Sequence, residues 1–354
     1  LVPSAFFGDI GTMKRILRWS LGLAVLGCCS LLLAALMPRH YDVPGMQDRA
    51  GTRYWELPTG SRIAYWKVAT EGEQHKPSII FLQGGPGGII SDRLIELEGR
   101  FAEDGHDVYL YDQVGSGRSE RLEDIAEYTP ARHARDLAAI VDAIGAEKVI
   151  LIGQSWGAML AILYIAEHPE RVVRLIVTGP GPILPVRFEL MDVKAPDSLH
   201  LRSPMYTNRQ ANGATATIRS RAMALCARWF GIKLASDKEA DDFQTLLNGR
   251  LMRSTVCDTS RTWTVDGGGG YYAAEMTVNG FAATEDTRAR LRGCTIPVLV
   301  MKGQCDNQPW GFTNEYLELF PDHQLVVVPG AGHSISLERE AEYVQAIRVF
   351  LAIE

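Results

Sequence analysis

Ser155 stands in Gly153-Gln154-Ser155-Trp156-Gly157, directly after the apolar run Val149-Ile150-Leu151-Ile152 and directly before a stretch patterned as a helix. A sharp strand-to-helix turn needs small residues on both sides. It lifts a serine hydroxyl to the C-terminal edge of a sheet, beside a helix N-terminus. The chemistry this permits is nucleophilic attack on an acyl carbon, provided a base takes the hydroxyl proton and a third group orients the base. Of eight histidines, His333 alone sits in a Gly-rich loop at a strand end, in Gly330-Ala331-Gly332-His333-Ser334. His323 lies beside Asp322 at a strand start, on the wrong edge, and His133 and His168 read as surface helix residues. The orienting acid should follow another strand on the same edge. Pro297 to Met301, continued by Lys302-Gly303-Gln304-Cys305, delivers Asp306 there, whereas Val172 to Val177 ends in Thr178-Gly179-Pro180 without an acid. The plainer alternatives are a Gly-rich turn at Ser155 and a surface aspartate at 306.

Attack on an acyl carbon develops an oxyanion, which needs two backbone donors already in place. The N–H of Trp156, the residue after the nucleophile, would be one. The other should come from the loop after an earlier strand, where Ile80-Phe81-Leu82-Gln83-Gly84-Gly85-Pro86-Gly87-Gly88 stands. A phosphate cradle is the competing reading of that loop, but the Lys-Ser/Thr ending of a nucleotide loop is missing. No Cys-x-x-Cys or Cys/His spacing suggests a metal.

These residues must be positioned by a sheet. From about residue 53 short apolar runs alternate with amphipathic helical stretches. The strand-like runs are Arg62 to Ala69, Ser78 to Leu82, Asp107 to Tyr111, Lys148 to Ile152, Val172 to Val177, Pro297 to Met301 and Gln324 to Val328. Several are apolar throughout, as strands buried on both faces of a parallel sheet are. Helical patterns over Pro130 to Ile144, Trp156 to His168, Pro309 to Leu319 and Glu338 to Leu351 complete a mostly parallel, doubly wound α/β architecture. The alternation stops between about Pro182 and Arg292. The expected organisation is therefore a leader over 1–40, a core over 41–181 and 293–354, and a helical cap inserted at 182–292. Within the insertion, Gly267 to Gly270 reads as a mobile hinge or a floppy turn.

Composition narrows the class. The 354 residues are 46% hydrophobic and 22% charged, which excludes wholesale disorder, collagen and coiled coil. A net charge of -6 with no long basic run argues against nucleic acid. Trp19 to Met37 is uncharged and mostly apolar, preceded by Lys14, Arg15 and Arg18 and followed by Arg39. Together with its flank this hydrophobic segment, about 16–37, predicts a membrane anchor with the body exported to the periplasm or outside. A cleaved signal peptide is the rival reading, although large residues at Ala34-Ala35-Leu36-Met37 spoil a cleavage site. Val25-Leu26-Gly27-Cys28 loosely resembles a lipoprotein site, but the apolar run continues past it. Residues before Met13 are expected to take no part in the fold. Six cysteines are too few for a disulfide scaffold, but an exported body could oxidise some. Cys226 and Cys257, in one helical-looking region, are the expected pair, with four buried free thiols as the alternative.

Taken together, the motifs resemble α/β-hydrolases of the proline iminopeptidase type. That family typically carries His-Gly-Gly-Pro-Gly, Asp-Gln-x-Gly-x-Gly-x-Ser and Gly-Gly-Ser-Trp-Gly. This chain has Gln83-Gly84-Gly85-Pro86-Gly87, Asp112-Gln113-Val114-Gly115-Ser116-Gly117-Arg118-Ser119 and Gly153-Gln154-Ser155-Trp156-Gly157. The resemblance implies an α/β-hydrolase core with a helical cap, and cofactor-free serine hydrolase chemistry. It implies Ser155, Asp306 and His333 as the triad, in the family's chain order, and Gly85 with Trp156 as the oxyanion hole. Gln83 stands where the family has His and Gln154 where it has Gly, so Gln83 and Gly84 become candidate substrate contacts. Family aminopeptidases hold the substrate amine with cap glutamates. Glu275 is the candidate here, against a solvated helix glutamate. The expected activity is release of N-terminal residues from small peptides. The alternative is hydrolysis of small carboxylic esters or lipids, because the same machinery serves either acyl group. A serine at 155 excludes the epoxide hydrolase and dehalogenase chemistries that use an aspartate. A non-catalytic binding protein is the third class, and the complete triad argues against it. Oligomeric state is not encoded in these motifs.

Overall fold

The computed structural model describes residues 10–71 and 76–353, with side chains from Met13 onward. A long helix, α1 (Ile10–Leu36), precedes the sheet. Its portion Met13–Leu36 is 24 residues long and apolar enough to cross a membrane. It begins before the segment expected from sequence, because Lys14, Arg15 and Arg18 are good helix formers and continue it upstream.

Eight strands build one sheet: β1 (Arg53–Glu56), β2 (Arg62–Val68), β3 (Lys76–Leu82), β4 (His106–Tyr111), β5 (Val149–Gln154), β6 (Val172–Thr178), β7 (Val298–Gly303) and β8 (His323–Val328). Their order is β1-β2-β4-β3-β5-β6-β7-β8. Only the β1–β2 and β2–β4 pairings are antiparallel; β3 through β8 all run parallel. All seven strands expected from the apolar runs are present. The eighth, β1, is short and exposed, so its sequence shows no buried run; the stacked pair Trp55–Tyr65, with ring centroids 3.6 Å apart, ties it to β2.

Strand residues alternate between two apolar layers. On β3, Ile80 and Leu82 enter one layer while Ile79 and Phe81 enter the other. The first layer is closed by α3 (Pro130–Ile144) and α4 (Trp156–Glu167), the second by α2 (Asp92–Gly99) and α12 (Glu340–Leu351). Every residue of α4 from Trp156 to Ala166 is buried, as expected for a helix apolar on all sides. His133 on α3 corrects the surface reading. It is buried, its Nε2 lies 3.0 Å from Thr277 Oγ1, and burial, assisted by Arg132, pushes its pKa down to about 4. Its helix is covered on the outer side by the segment between β6 and β7, which sequence periodicity could not anticipate.

That segment holds α5 (Asn208–Thr215), α6 (Ile218–Phe230), α7 (Asp237–Leu251), α8 (Tyr271–Asn279) and α9 (Arg288–Leu291). After β7 come α10 (Trp310–Leu319) and, beyond β8, α11 (Ile335–Glu338). The expected Cys226–Cys257 pairing is not found. Cys257 is bonded to Cys305, with Cα atoms 5.2 Å apart, while Cys226 is a free, half-buried thiol on α6. Cys257 lies beyond the end of α7, in a stretch that crosses to the loop after β7, so nearness in sequence misled. The Gly267–Gly270 run packs closely on neighbouring backbone. A side chain at Gly270 would strike the Gly115 carbonyl, and the Gly270 N–H donates to Gly87 O at 3.1 Å. The run is small because two loops pack directly on it.

Glu98 on α2 is fully buried. It accepts a 2.8 Å hydrogen bond from Tyr343 of α12, its other oxygen has no partner, and burial pushes its pKa up to about 8. The folded state therefore holds a proton that the unfolded chain releases near the ordinary carboxyl value. This contribution to stability is full below that value and is lost as pH rises through about 8. We expect Glu98→Gln to flatten the decline in urea stability between pH 5 and 8. An unaltered slope in the variant would refute the assignment.

Candidate active site

Strand β5 ends in a turn whose central residue, Ser155, has φ 55° and ψ -114°. A non-glycine residue at such a dihedral is strained and persists only where its surroundings fix it. The Ser155 N–H donates to Thr178 O on β6 at 3.0 Å, and its carbonyl accepts from Ala158 N–H at 3.1 Å. A Cβ at Gly157 would collide with the Leu82 carbonyl of β3, so helix α4 can approach the sheet this closely only with glycine there. Trp156 is the first residue of α4, and its N–H consequently lacks an intrahelical acceptor.

The loop after β3 faces this turn. Its brace is Gln83: Nε2 donates to Ile89 O at 2.8 Å and Oε1 accepts the Gly84 N–H at 2.9 Å. The Gly84 amide is thereby occupied, whereas the Gly85 N–H has no protein acceptor among the described residues. A second brace comes from the motif 112–119. Gln113 donates to Gln83 O and accepts from Trp156 Nε1, both at 2.9 Å. Asp112 accepts the N–H groups of Ile90 and Arg118 at 2.7 and 2.8 Å. Burial raises the Asp112 pKa to about 6 against the pull of those two bonds.

His333 and Asp306 meet at 2.8 Å through Nδ1 and Oδ1, both buried. Facing an ionised carboxylate, Nδ1 carries the proton and donates. The second carboxylate oxygen, Oδ2, is 3.0 Å from Lys302 Nζ, and the Gln308 N–H donates to Oδ1 at 3.0 Å. Burial by itself would raise the Asp306 pKa. Lys302 and then His333 overcome it and hold the carboxyl well below the usual range. The loop bearing His333 is fixed from the other side. Glu338 accepts from Gly332 N–H at 2.6 Å and from Cys257 N–H at 3.0 Å, while Ser334 N–H donates to Thr255 O at 2.9 Å.

Ser155 and His333 line one cavity of about 530 Å³, together with Gln83, Gly84 and Gly85. Its walls include Asn208, Asn248 and Leu251 from α5 and α7, and Trp263. Glu275 does not line it. That residue sits on α8 in an ion pair with Arg228 of α6. Among the described residues the carboxylates lining the cavity are Asp92 and Asp266, and Arg49 is paired with both, with Nη2 3.5 Å from Asp266. Sequence reasoning missed these two, and also Lys302 and Glu338, because their partners are distant in the chain or hidden in a strand.

Residues 77–340 match the alpha/beta hydrolase fold family. The chain belongs to that family. It is 37% identical over 127 residues to a proline iminopeptidase of Lactobacillus helveticus, an alignment covering 35% of this chain and 42% of that relative. The chain thus spans less than half the length of that relative. A proline iminopeptidase of Heyndrickxia coagulans aligns at 27% identity over 296 residues, 83% of this chain and 96% of the relative. An esterase from Exiguobacterium antarcticum shares the fold at a TM-score of 0.55 and 17% identity, covering 85% of this chain and 99% of that one.

Lys302→Met would leave one oxygen of the buried Asp306 carboxylate without its cation. Removing one partner of a buried pair typically costs about 3–5 kcal/mol. We expect a loss of that size in urea denaturation at pH 7, shrinking as pH falls toward the carboxyl range and Asp306 takes up a proton. A loss below about 1 kcal/mol would show that the pair is not coupled as its geometry implies.

Proposed function

We propose that this chain is a serine hydrolase that works through an acyl-enzyme, with Ser155 as nucleophile, His333 as base and Asp306 as its orienting acid. The observation that carries this reading is the Ser155 turn sharing a cavity with a histidine whose Nδ1 is held by a buried carboxylate. His333 takes the Ser155 proton as the oxygen attacks the acyl carbon, and Asp306 stabilises the imidazolium. The N–H groups of Gly85 and Trp156 receive the oxyanion. Proton return to the leaving group releases the first product, and water then cleaves the acyl-enzyme. The segment 182–292 is proposed as the cap, since its helices form the cavity wall facing the sheet edge.

For the substrate, the proline iminopeptidase relatives favour release of N-terminal residues from short peptides. An α-amine would be held by Asp266 and Asp92 in place of Glu275, because those are the carboxylates at the cavity. One observation favours a second reading, hydrolysis of carboxylic esters. Both carboxylates are already engaged by Arg49, and the remaining wall, apart from Arg93 and the proposed triad, consists of amide, hydroxyl and apolar groups. The proposed setting is a membrane anchor formed by α1, with the hydrolase body exported.

Ser155→Ala should lower kcat by at least about 10³-fold, given typical losses on removing a triad member. Near-normal turnover by a clean preparation would end the assignment. Substrate class is tested with prolyl and alanyl nitroanilides, an N-blocked alanyl anilide, and short nitrophenyl esters. On the peptidase reading the free-amine anilides are cleaved and the blocked one is not. Asp266→Asn then lowers kcat/KM for the anilides by about 10-fold or more and spares the esters. Ester turnover without anilide cleavage would replace the peptidase reading with the ester one.

A further inference from the structure

Helix α6 is amphipathic in the wrong sense for a helix whose outer face meets only water. Its buried side carries Arg219, Ser220, Met223 and Ala227. Its outward stripe, spaced four or seven apart, carries Ile218, Leu225 and Trp229, which are 42%, 56% and 78% exposed. Phe230 and Ile232 extend the patch at 73% and 53% exposure. Arg221 and Arg228 are exposed along one flank of the stripe. An apolar stripe with tryptophan and an arginine border is the composition of helices that lie in a membrane interface.

The second observation is where this helix is fixed. The last carbonyls of α1 lack intrahelical partners. Arg219 of α6 supplies them, with Nη1 donating to Ala35 O at 2.9 Å and Leu36 O at 3.3 Å. The same guanidinium is paired through Nε with Glu239 of α7 at 2.8 Å, and Glu239 also accepts the Arg39 N–H at 3.0 Å. Arg219 and Glu239 are both buried. The exit of α1 is therefore a built joint. At 1.5 Å per residue the 24-residue span is roughly 36 Å long, slightly more than the ~30 Å hydrocarbon core. Its C-terminal end, and the α6 surface joined to it, then fall at headgroup depth.

We propose that α6 is a membrane-docking surface, its Ile218–Leu225–Trp229 stripe lying in the lipid interface beside the exit of α1. This rests on the reading of α1 as a membrane span. The occupant is the bilayer itself, because the joint holds the stripe against the leaflet into which α1 emerges. The body is thus held down at two points, and the helical segment between β6 and β7 faces lipid along α6.

The test uses the full chain in vesicles of phosphatidylcholine and phosphatidylglycerol whose acyl chains are either brominated or unbrominated. Tryptophan quenching by bromine is compared for the unaltered chain, Trp19→Phe and Trp229→Phe, each with an unchanged thermal transition. Docking is supported when Trp229→Phe removes a distinct share of the quenching. Trp19, inside α1, reports insertion of the span separately. A Trp19 share without a Trp229 share overturns the docking surface and leaves the anchor standing. Absence of a Trp19 share sinks the anchor reading, and the Trp229 share still decides docking by itself. Should Trp229 be shielded from aqueous acrylamide yet unquenched by bromine, another protein surface covers the stripe and the proposal fails.

Discussion

The carboxylate of Asp306 is stripped of water, and everything at the site depends on how that cost is met. Burying an ionised carboxylate is tolerable only when cations and donors surround it. Here Lys302 reaches it from inside β7, Gln308 from the loop beyond, and His333 from the loop after β8. Lys302 and Gln308 are close to Asp306 in the chain, but His333 arrives only once β7 and β8 are paired in register. The charge is thereby held, dry and fully partnered, only in the folded state. Its low basicity also has a chemical consequence: an acid that resists protonation stays ionised beside His333 and can stabilise an imidazolium.

A similar logic runs through the loops around Ser155. The turn is strained, and it is held by backbone bonds to β6 and by the contact of Gly157 with β3. Gln83 and Gln113 occupy the donors and acceptors of the facing loop that would otherwise seek solvent. Among the amides left without a protein acceptor in the described residues are those of Gly85 and Trp156. Bracing by side-chain amides thus selects which backbone donors remain for a ligand. Gln83 can brace the loop in this way because a carboxamide donates and accepts at once.

Much of this was legible in the chain, and the reason is local. Strands buried on both faces appear as apolar runs, so β3 through β7 could be read directly, while β2 and β8 are only partly buried and were legible from shorter apolar stretches. The tight turn forces its glycines into sequence around Ser155, and the strand-end positions of Asp306 and His333 follow from the runs before them. What could not be read depends on contacts between distant segments. Lys302 looks like a strand residue at an edge until its i+4 carboxylate is seen to be buried with it. Cys257 pairs with Cys305, 48 residues away, and not with Cys226. Glu275 has the right residue type but faces Arg228, which only the packing of α6 against α8 reveals. His133 was misread for the same reason, since helical periodicity reports one covering layer and this helix has two.

The helices between β6 and β7 join two matters that the fold keeps apart in a bare α/β sheet. Helix α7 contributes Asn248 and Leu251 to the cavity wall, and its first turn contributes Glu239 to the joint at the exit of α1. One helix of 15 residues therefore touches both the proposed reaction site and the proposed anchor. A rigid element cannot be displaced at one end without moving the other. On the proposed reading, opening the cavity by tilting α7 would have to break or carry along a buried arginine–glutamate pair, which resists being split. Access to the cavity is then governed by side chains and by the loops at 83–93 and 263–266. The selectivity of the proposed hydrolase, on that argument, resides in the groups these segments present, with Arg49 bridging Asp92 at the start of α2 and Asp266.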